Sequence, residues 1–301
     1  SFYGHKEEVA DMQKVMDEDI AAGKLPAGTK IEPWDWWYYA EKVRKLKYDL
    51  DEELIKPYFK LENVVNGIFI AAKTLYGVNM EKLEGVPAYN KEKVTTYKVT
   101  NEKGELLGIF TTDYLPRPSK RGGAWMNNIR DQRVDAQGNM IRPIIVNVGN
   151  LEEYLNVDEV QTVFHEFGHA LHGLLTQCHY PTVSGTATPN VFVEMCSQIM
   201  EHWAVDPSIL KQYAFHYKTG QVIPDELIAK LQNAGHFNTG FETVELVGAA
   251  LLDMEYHMLT NYLNFDDQKF EDEISAKLGM IPEIEFRYRG TFFNHIFNNT
   301  T

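Results

Sequence analysis

Cysteine is almost missing from this 301-residue chain, with Cys178 and Cys196 the only two. Two thiols cannot knit a disulfide scaffold, so the fold must rest on a buried core, and a reducing, cytoplasmic compartment is the default reading. Basic charge is scarce as well: 29 Lys and Arg face 43 Asp and Glu, for a formal net charge of −14. That balance argues against a nucleic-acid partner and against an anionic membrane, because both call for a positive surface. The one basic stretch beside a glycine pair, Arg117 to Arg121, is too short to alter this. No run approaches the roughly 18 apolar residues of a membrane span. The opening SFYGHKEEVADMQ lacks the apolar centre of a signal peptide and starts as though in mid-helix. A piece of a longer protein is therefore expected, and an export signal upstream would move the compartment to the periplasm.

What the chain does have is apolar and aromatic mass. It is 44% hydrophobic with 16 Tyr, 16 Phe and 5 Trp, ample for one large domain or two small ones. Val9, Met12, Val15, Met16 and Ile20 recur three or four apart, which predicts an amphipathic helix over residues 5–22. A second helix is expected to open at Pro33–Asp35 and run through WWYYAEKVRKL, and a helical pattern continues from Asp51 to Tyr76 with a break near Pro57. Its aromatic stripe, Trp34, Trp36, Trp37, Tyr38 and Tyr39, reads as core packing. Alternation at Val94, Thr96, Lys98 and at Leu107, Ile109, Thr111, around the turn Asn101–Gly104, predicts a β-hairpin. With strands at Gly122–Ile129 and Ile144–Val148 and a turn at Asp135–Gly138, a small sheet is expected over about 94–149. Helical periodicity resumes at Asp158 and lasts to about Leu263, broken at Gly185–Pro189, Pro207 and Gly220–Pro224. The expected class is α+β with a large helical excess.

The helix expected from about Asp158 to Leu175 holds the run VFHEFGHALH. His165 and His169 are four apart, so both imidazoles project from one face and can grip one ion. Glu166, one residue round the helix, can reach a water on that ion without binding the metal. Zinc suits imidazole ligands, and an open coordination position lets it acidify the water that Glu166 would deprotonate and whose proton it would pass to a leaving amine. With 10 His in 301 residues, HExxH arises by chance about 0.03 times in such a chain, so the motif is suggestive by itself. Two partly exposed helix histidines are the bland alternative. A carboxylate from a second helix would complete a common catalytic zinc set. TPNVFVEMCSQIMEHW offers Glu194 and Glu201: Glu194 sits among Val191, Val193, Met195 and Ile199, where a lone charge would be costly unless paired or metal-bound. Glu201 or Gln198 lies on the same helix face as Glu194 and could instead hold a ligating histidine by a hydrogen bond.

These residues resemble the thimet oligopeptidase family of zinc peptidases, most of all its bacterial peptidyl-dipeptidase (dipeptidyl carboxypeptidase) branch. The similar runs cover almost the whole chain: PWDWWYYAEKVR (33–44), KPYFKLENVVNGIF (56–69), GGAWMNN (122–128), FHEFGHALHGLL (164–175), SGTATPNVFVEMCSQIMEHWA (184–204) and YRGTFFNHIF (288–297). The resemblance implies a zincin-like core with a small sheet beside the HExxH helix, one zinc per chain, and short peptides as substrates. It implies Glu194 as the third ligand, in the family's F-V-E-x-P-S-Q run, although Cys196 stands where the family usually has Pro, which would bend that helix differently. His172 belongs to the extended motif as a structural residue or a partner of a ligand. His295 matches a histidine that binds substrate and stabilises the oxyanion. The tyrosines of the family's glycine-rich loop do not follow, because the chain reads NNTT and stops at Thr301.

Residues 1–301 therefore read as the catalytic core of a larger two-lobed peptidase, cut at both ends, with the sheet at about 94–149 and the metal-site helices at about 158–205. Its partners would be peptides and the remaining N- and C-terminal parts of the same protein. The expected activity is zinc-dependent hydrolysis of short peptides with release of C-terminal dipeptides, by Glu-assisted attack of a zinc-bound water. The alternatives are a folded metal-binding fragment without turnover, for want of the tyrosine loop, and a helical interaction module with incidental histidines. GGAWMN reads either as an edge strand that pairs with substrate backbone or as a glycine turn into an ordinary strand. SGTATP reads as a loop for close peptide approach or as a plain linker. Asn298–Thr300 matches a glycosylation triplet with nothing else to support secretion.

Overall fold

The computed structural model describes residues 4–49, 51–235, 237–261 and 265–292. Helices α1 (Gly4–Ala21) and α2 (Trp36–Tyr48), the single turn α3 (Glu52–Ile55) and α4 (Leu61–Tyr76) come first. Strands β1 (Asn79–Lys82), β2 (Thr95–Thr100), β3 (Leu106–Asp113), β4 (Trp125–Arg130), β5 (Arg133–Val134), β6 (Met140–Ile141) and β7 (Ile144–Val148) follow. The rest is helical: α5 (Val157–Leu175), α6 (Asn190–Ala204), α7 (Pro207–Tyr213), α8 (Asp225–Ala234), α9 (Thr239–His257) and α10 (Asp267–Leu278). This is the mainly helical α+β order that the periodicity predicts.

Four elements go beyond the expectation: β5 and β6, which pair with each other around the expected turn at Asp135–Gly138, and β1 and α10. β1 lacks any apolar alternation and is a strand because its backbone pairs antiparallel with β2, Met80 opposite Val99. α10 lies past the expected helical limit. Asp266 caps it by accepting from the Lys269 amide, and Gly279, at φ +69°, closes it in the left-handed region.

The chain forms two compact units, Ser1–Leu50 with Gln232–Thr300, and Asp51–Leu231. In the first, Met12, Met16, Trp36, Tyr39, Val43, Phe241 and Val244 form the core. Trp36 stacks on Phe241 at 4.4 Å, and its indole N–H donates to Asn238 Oδ1 at 2.9 Å. The aromatic stripe therefore divides: Trp36 and Tyr39 are core, whereas Trp34, Trp37 and Tyr38 are exposed. A helix turns only one side inward, so adjacent aromatics cannot all be buried.

The second unit carries a five-stranded sheet in the order β1-β2-β3-β7-β4, antiparallel except for the β3–β7 pair. The β2–β3 hairpin turns where expected, with Asn101 Oδ1 accepting from the Lys103 and Glu105 amides. β4 is an edge strand that pairs with β7 alone among the named strands. α5 packs against β3, β4 and β7 and touches α4, and α6 packs along α5. Phe69, Phe110 and Phe167 interlock in this unit, with ring centroids 5.5 Å apart for Phe110–Phe167 and 6.1 Å for Phe69–Phe167. Those contacts seat α5 on the sheet.

Candidate metal centre

α5 starts at a reciprocal cap. Asn156 Oδ1 accepts from the Glu159 amide at 2.8 Å, and Glu159 accepts from the Asn156 amide at 2.9 Å. The cap and the aromatic anchor at Phe167 fix the helix, and the residues between His165 and His169 then meet different neighbours. Phe167 points into the core. Gly168 faces α6, where a Cβ would come within 2.6 Å of both the Cys196 carbonyl oxygen and Ser197 Cα. Only glycine lets the two helix backbones approach so closely.

That approach brings Glu194 to the two histidines. Its Oε2 lies 3.2 Å from His165 Nε2 and 3.3 Å from His169 Nε2, and the three ligand atoms all lie within 4.8 Å of one another. Ser197 Oγ donates to the same Oε2 at 2.7 Å, one turn along α6. The E-x-x-S spacing was the available sign of this contact, which sequence reasoning missed. Of the two residues offered as props for a ligating histidine, it is Glu201 whose Oε1 lies 2.6 Å from His165 Nδ1, while Gln198 is exposed. The bond puts the proton on Nδ1 and leaves the Nε2 lone pair for a metal. Glu201→Ala is expected to weaken zinc binding by about 10- to 100-fold, read by chelator competition.

The setting of Glu194 differs from the expectation. Val191, Met195 and Ile199 are exposed, and the Glu194 side chain is itself 49% exposed. The inward face of α6 is Val193, Ser197, Met200 and Ala204. The cost of a buried lone carboxylate therefore does not apply, and the case for Glu194 rests on its distance to the two imidazoles. α6 is also continuous through Cys196, so cysteine in place of the family's proline leaves a regular helix.

Burial and charge set the titration of the group. Burial drives the Glu166 carboxyl up to about 7; the nearby His165 opposes this and the Glu194 charge adds to it. For His165, burial pulls down, but the Glu201 hydrogen bond with the Glu166 and Glu194 charges outweighs it and the net direction is up. His169 is pushed down by burial, against the pull of Glu194. Its Nδ1 is buried without a hydrogen-bond partner among the described residues, as is Nδ1 of His172.

The other expected site residues divide. Strand β4 begins at Trp125, after Gly123 at φ +88°. In the SGTATP loop, Ser184 is buried and donates to Gln132 Oε1 at 3.2 Å, and a Cβ on Gly185 would lie 3.1 Å from Gly173 Cα. The start of that loop is thus packed against the end of α5. His295 lies outside the described residues.

The donor set fits zinc. Two imidazoles and a carboxylate are a common catalytic zinc set, and a tetrahedral ion with bonds of about 2.0–2.1 Å spaces its ligands about 3.3 Å apart. The two Nε2–Oε2 distances of 3.2 and 3.3 Å have that length.

The profile of peptidase family M3 matches residues 3–300. The chain is 42% identical over 301 residues to the dipeptidyl carboxypeptidase of Escherichia coli (strain K12), covering 97% of this chain and 43% of that protein. It is 36% identical over 281 residues to the organellar oligopeptidase A, chloroplastic/mitochondrial, of Arabidopsis thaliana, covering 88% of this chain and 35% of that protein. With the oligopeptidase A of Salmonella typhimurium the identity is 32% over 282 residues, 89% of this chain and 41% of the relative. The chain thus spans less than half the length of these curated relatives. Among the described residues, no helix is long and apolar enough to cross a membrane.

Proposed function

Because the chain belongs to peptidase family M3, we propose that it hydrolyses short peptides at a zinc ion held by His165, His169 and Glu194, releasing dipeptides from the C-terminus. The observation that carries this reading is the single Glu194 oxygen 3.2 and 3.3 Å from two imidazole nitrogens, with the buried Glu166 beside them. When bound, zinc would supply Lewis acidity, making water a better nucleophile and the scissile carbonyl a better electrophile.

The chain's own residues do the rest. Glu166 accepts a proton from the attacking water and returns it to the departing amine. Its burial raises the carboxyl in the metal-free site, so it takes up a proton more readily than an exposed glutamate. Glu201 holds the His165 ring with Nε2 turned to Glu194 Oε2, where it would serve as a ligand. The free edge of β4 pairs with the peptide backbone by strand addition. His295, carried over from the family motif, stabilises the oxyanion. Residues 1–301, within which the unit Asp51–Leu231 holds both metal-site helices and the sheet, are the catalytic core of a larger two-lobed peptidase in this reading.

Dipeptide release is supported by the dipeptidyl carboxypeptidase relative, and the oligopeptidase relatives favour internal cleavage as the second reading. Product masses from one defined free-acid hexapeptide, incubated with the zinc-loaded chain, separate them. Stepwise loss of C-terminal dipeptides, abolished when the C-terminus is amidated, supports the first. Internal cuts indifferent to amidation support the second. No cleavage at one zinc per chain overturns both and leaves metal binding without turnover.

A further inference from the structure

Lys120 lies in the loop between β3 and β4, yet its side chain is only 2% exposed. An ammonium in such a place is costly unless its donors are satisfied. Here its Nζ donates to the carbonyl oxygens of Asp113 at 2.6 Å, Leu115 at 2.8 Å and Gly149 at 2.6 Å, and lies 2.9 Å from Asp113 Oδ1. The Asp113 carboxylate is wholly buried and also accepts from Arg117 and, at 2.7 Å, from the Tyr89 hydroxyl. One lysine therefore ties the end of β3, the loop and the end of β7 into a single knot.

A second tie lies next to it. Asn150 Nδ2 donates to the Arg121 and Gly123 carbonyls at 2.7 and 2.9 Å. Nothing lies within 4 Å of where a Cβ would be at Gly122 or Gly123. Packing does not hold this glycine pair, so hydrogen bonds must. Two residues later the chain enters β4, whose pairing with β7 begins at Trp125 opposite Val148. The junction Gly149–Asn150 that anchors both ties also leads to Asn156, the cap of the metal-site helix α5.

We propose that Lys120 and Asn150 are positioning residues for peptide binding: by pinning the β3–β4 loop to the junction that feeds α5, they hold the edge strand β4 in place on the metal-site helix α5, ready to add an extended peptide backbone. This rests on the strand-addition part of the functional reading above. A loose loop would still leave the metal site intact, since no metal ligand touches either tie. It would charge the ordering of β4 against each peptide bound.

The test separates this clamp from the hydrolytic reading by using a background that does not turn over. Zinc-loaded Glu166→Gln and Glu166→Gln/Asn150→Ala chains are compared for the dissociation constant of the defined hexapeptide and for hydrogen exchange. Asn150 is half-buried on a loop and its truncation leaves the core untouched, whereas Lys120→Met, which takes a buried cation from Asp113 and leaves three carbonyls without their donor, serves as the more severe variant. The expected result is about tenfold weaker peptide binding, the worth of one or two hydrogen bonds. Exchange should be faster over residues 122–128, with zinc content and exchange over residues 163–170 unchanged. Unchanged peptide affinity overturns the proposal, as does unchanged exchange over 122–128. Loss of zinc together with affinity also overturns it, because the ties would then act through the metal helix. A wild-type chain that binds the peptide but does not cleave it overturns the hydrolytic reading alone.

Discussion

Glu166→Gln is expected to keep its zinc and lose about 10²- to 10⁴-fold in kcat, the usual share of a general acid–base group. Glutamine is close to the same size and cannot take a proton. Glu166 is not among the three clustered ligands, so the substitution leaves the donor set complete. A fall in kcat with KM and metal content unchanged would mark an interaction made only in the transition state. Steady-state kinetics with zinc analysis on the same sample checks this. A glutamine variant that cleaves peptides at the wild-type rate would remove Glu166 from the mechanism.

The second large effect is expected at a residue with no functional group. Gly168→Val should weaken zinc binding by well over tenfold and destabilise the chain by about 1–3 kcal/mol, the ordinary range for overpacking. A Cβ at 168 would sit 2.6 Å from the backbone of α6, where no side-chain rotation can relieve the clash. The helix has to move, and Glu194 moves with it. Even Gly168→Ala should show the loss, although alanine is the better helix former. Denaturant melts with and without zinc separate the two parts: the metal-dependent gain in stability should shrink in the variant. A variant with full zinc affinity would show that α6 can retreat without carrying its carboxylate away.

The parts of this site that were legible in the sequence are those governed by helical spacing alone. His165 and His169 needed only the four-residue repeat, and Glu166 only its place between them. The choice of Glu201 over Gln198 was not legible, because both lie on one face of α6 and tertiary placement decides which reaches His165. The burial argument for Glu194 failed for a related reason. Of the chain neighbours that suggested burial, Val191, Val193, Met195 and Ile199, only Val193 turns inward. The inward set, Val193, Ser197, Met200 and Ala204, was written in the three- and four-residue spacing of the same segment. Gly168 and Phe167 look like filler between the ligands until their partners, α6 and Phe110, are in view. β1 and the Lys120 knot were unreadable because they are made mainly with backbone groups, which carry no sequence signal. α10 was signalled by Phe270, Ile274 and Leu278 at four-residue steps and by Gly279, on a helix with few other apolar residues.

The metal centre underlies every other expectation, and diffraction recorded on either side of the zinc absorption edge tests it most directly. The account predicts one anomalous peak per chain, about 2.0–2.2 Å from His165 Nε2, His169 Nε2 and a Glu194 carboxylate oxygen. A zinc-soaked crystal with no peak there, or with its peak on other residues, would contradict it.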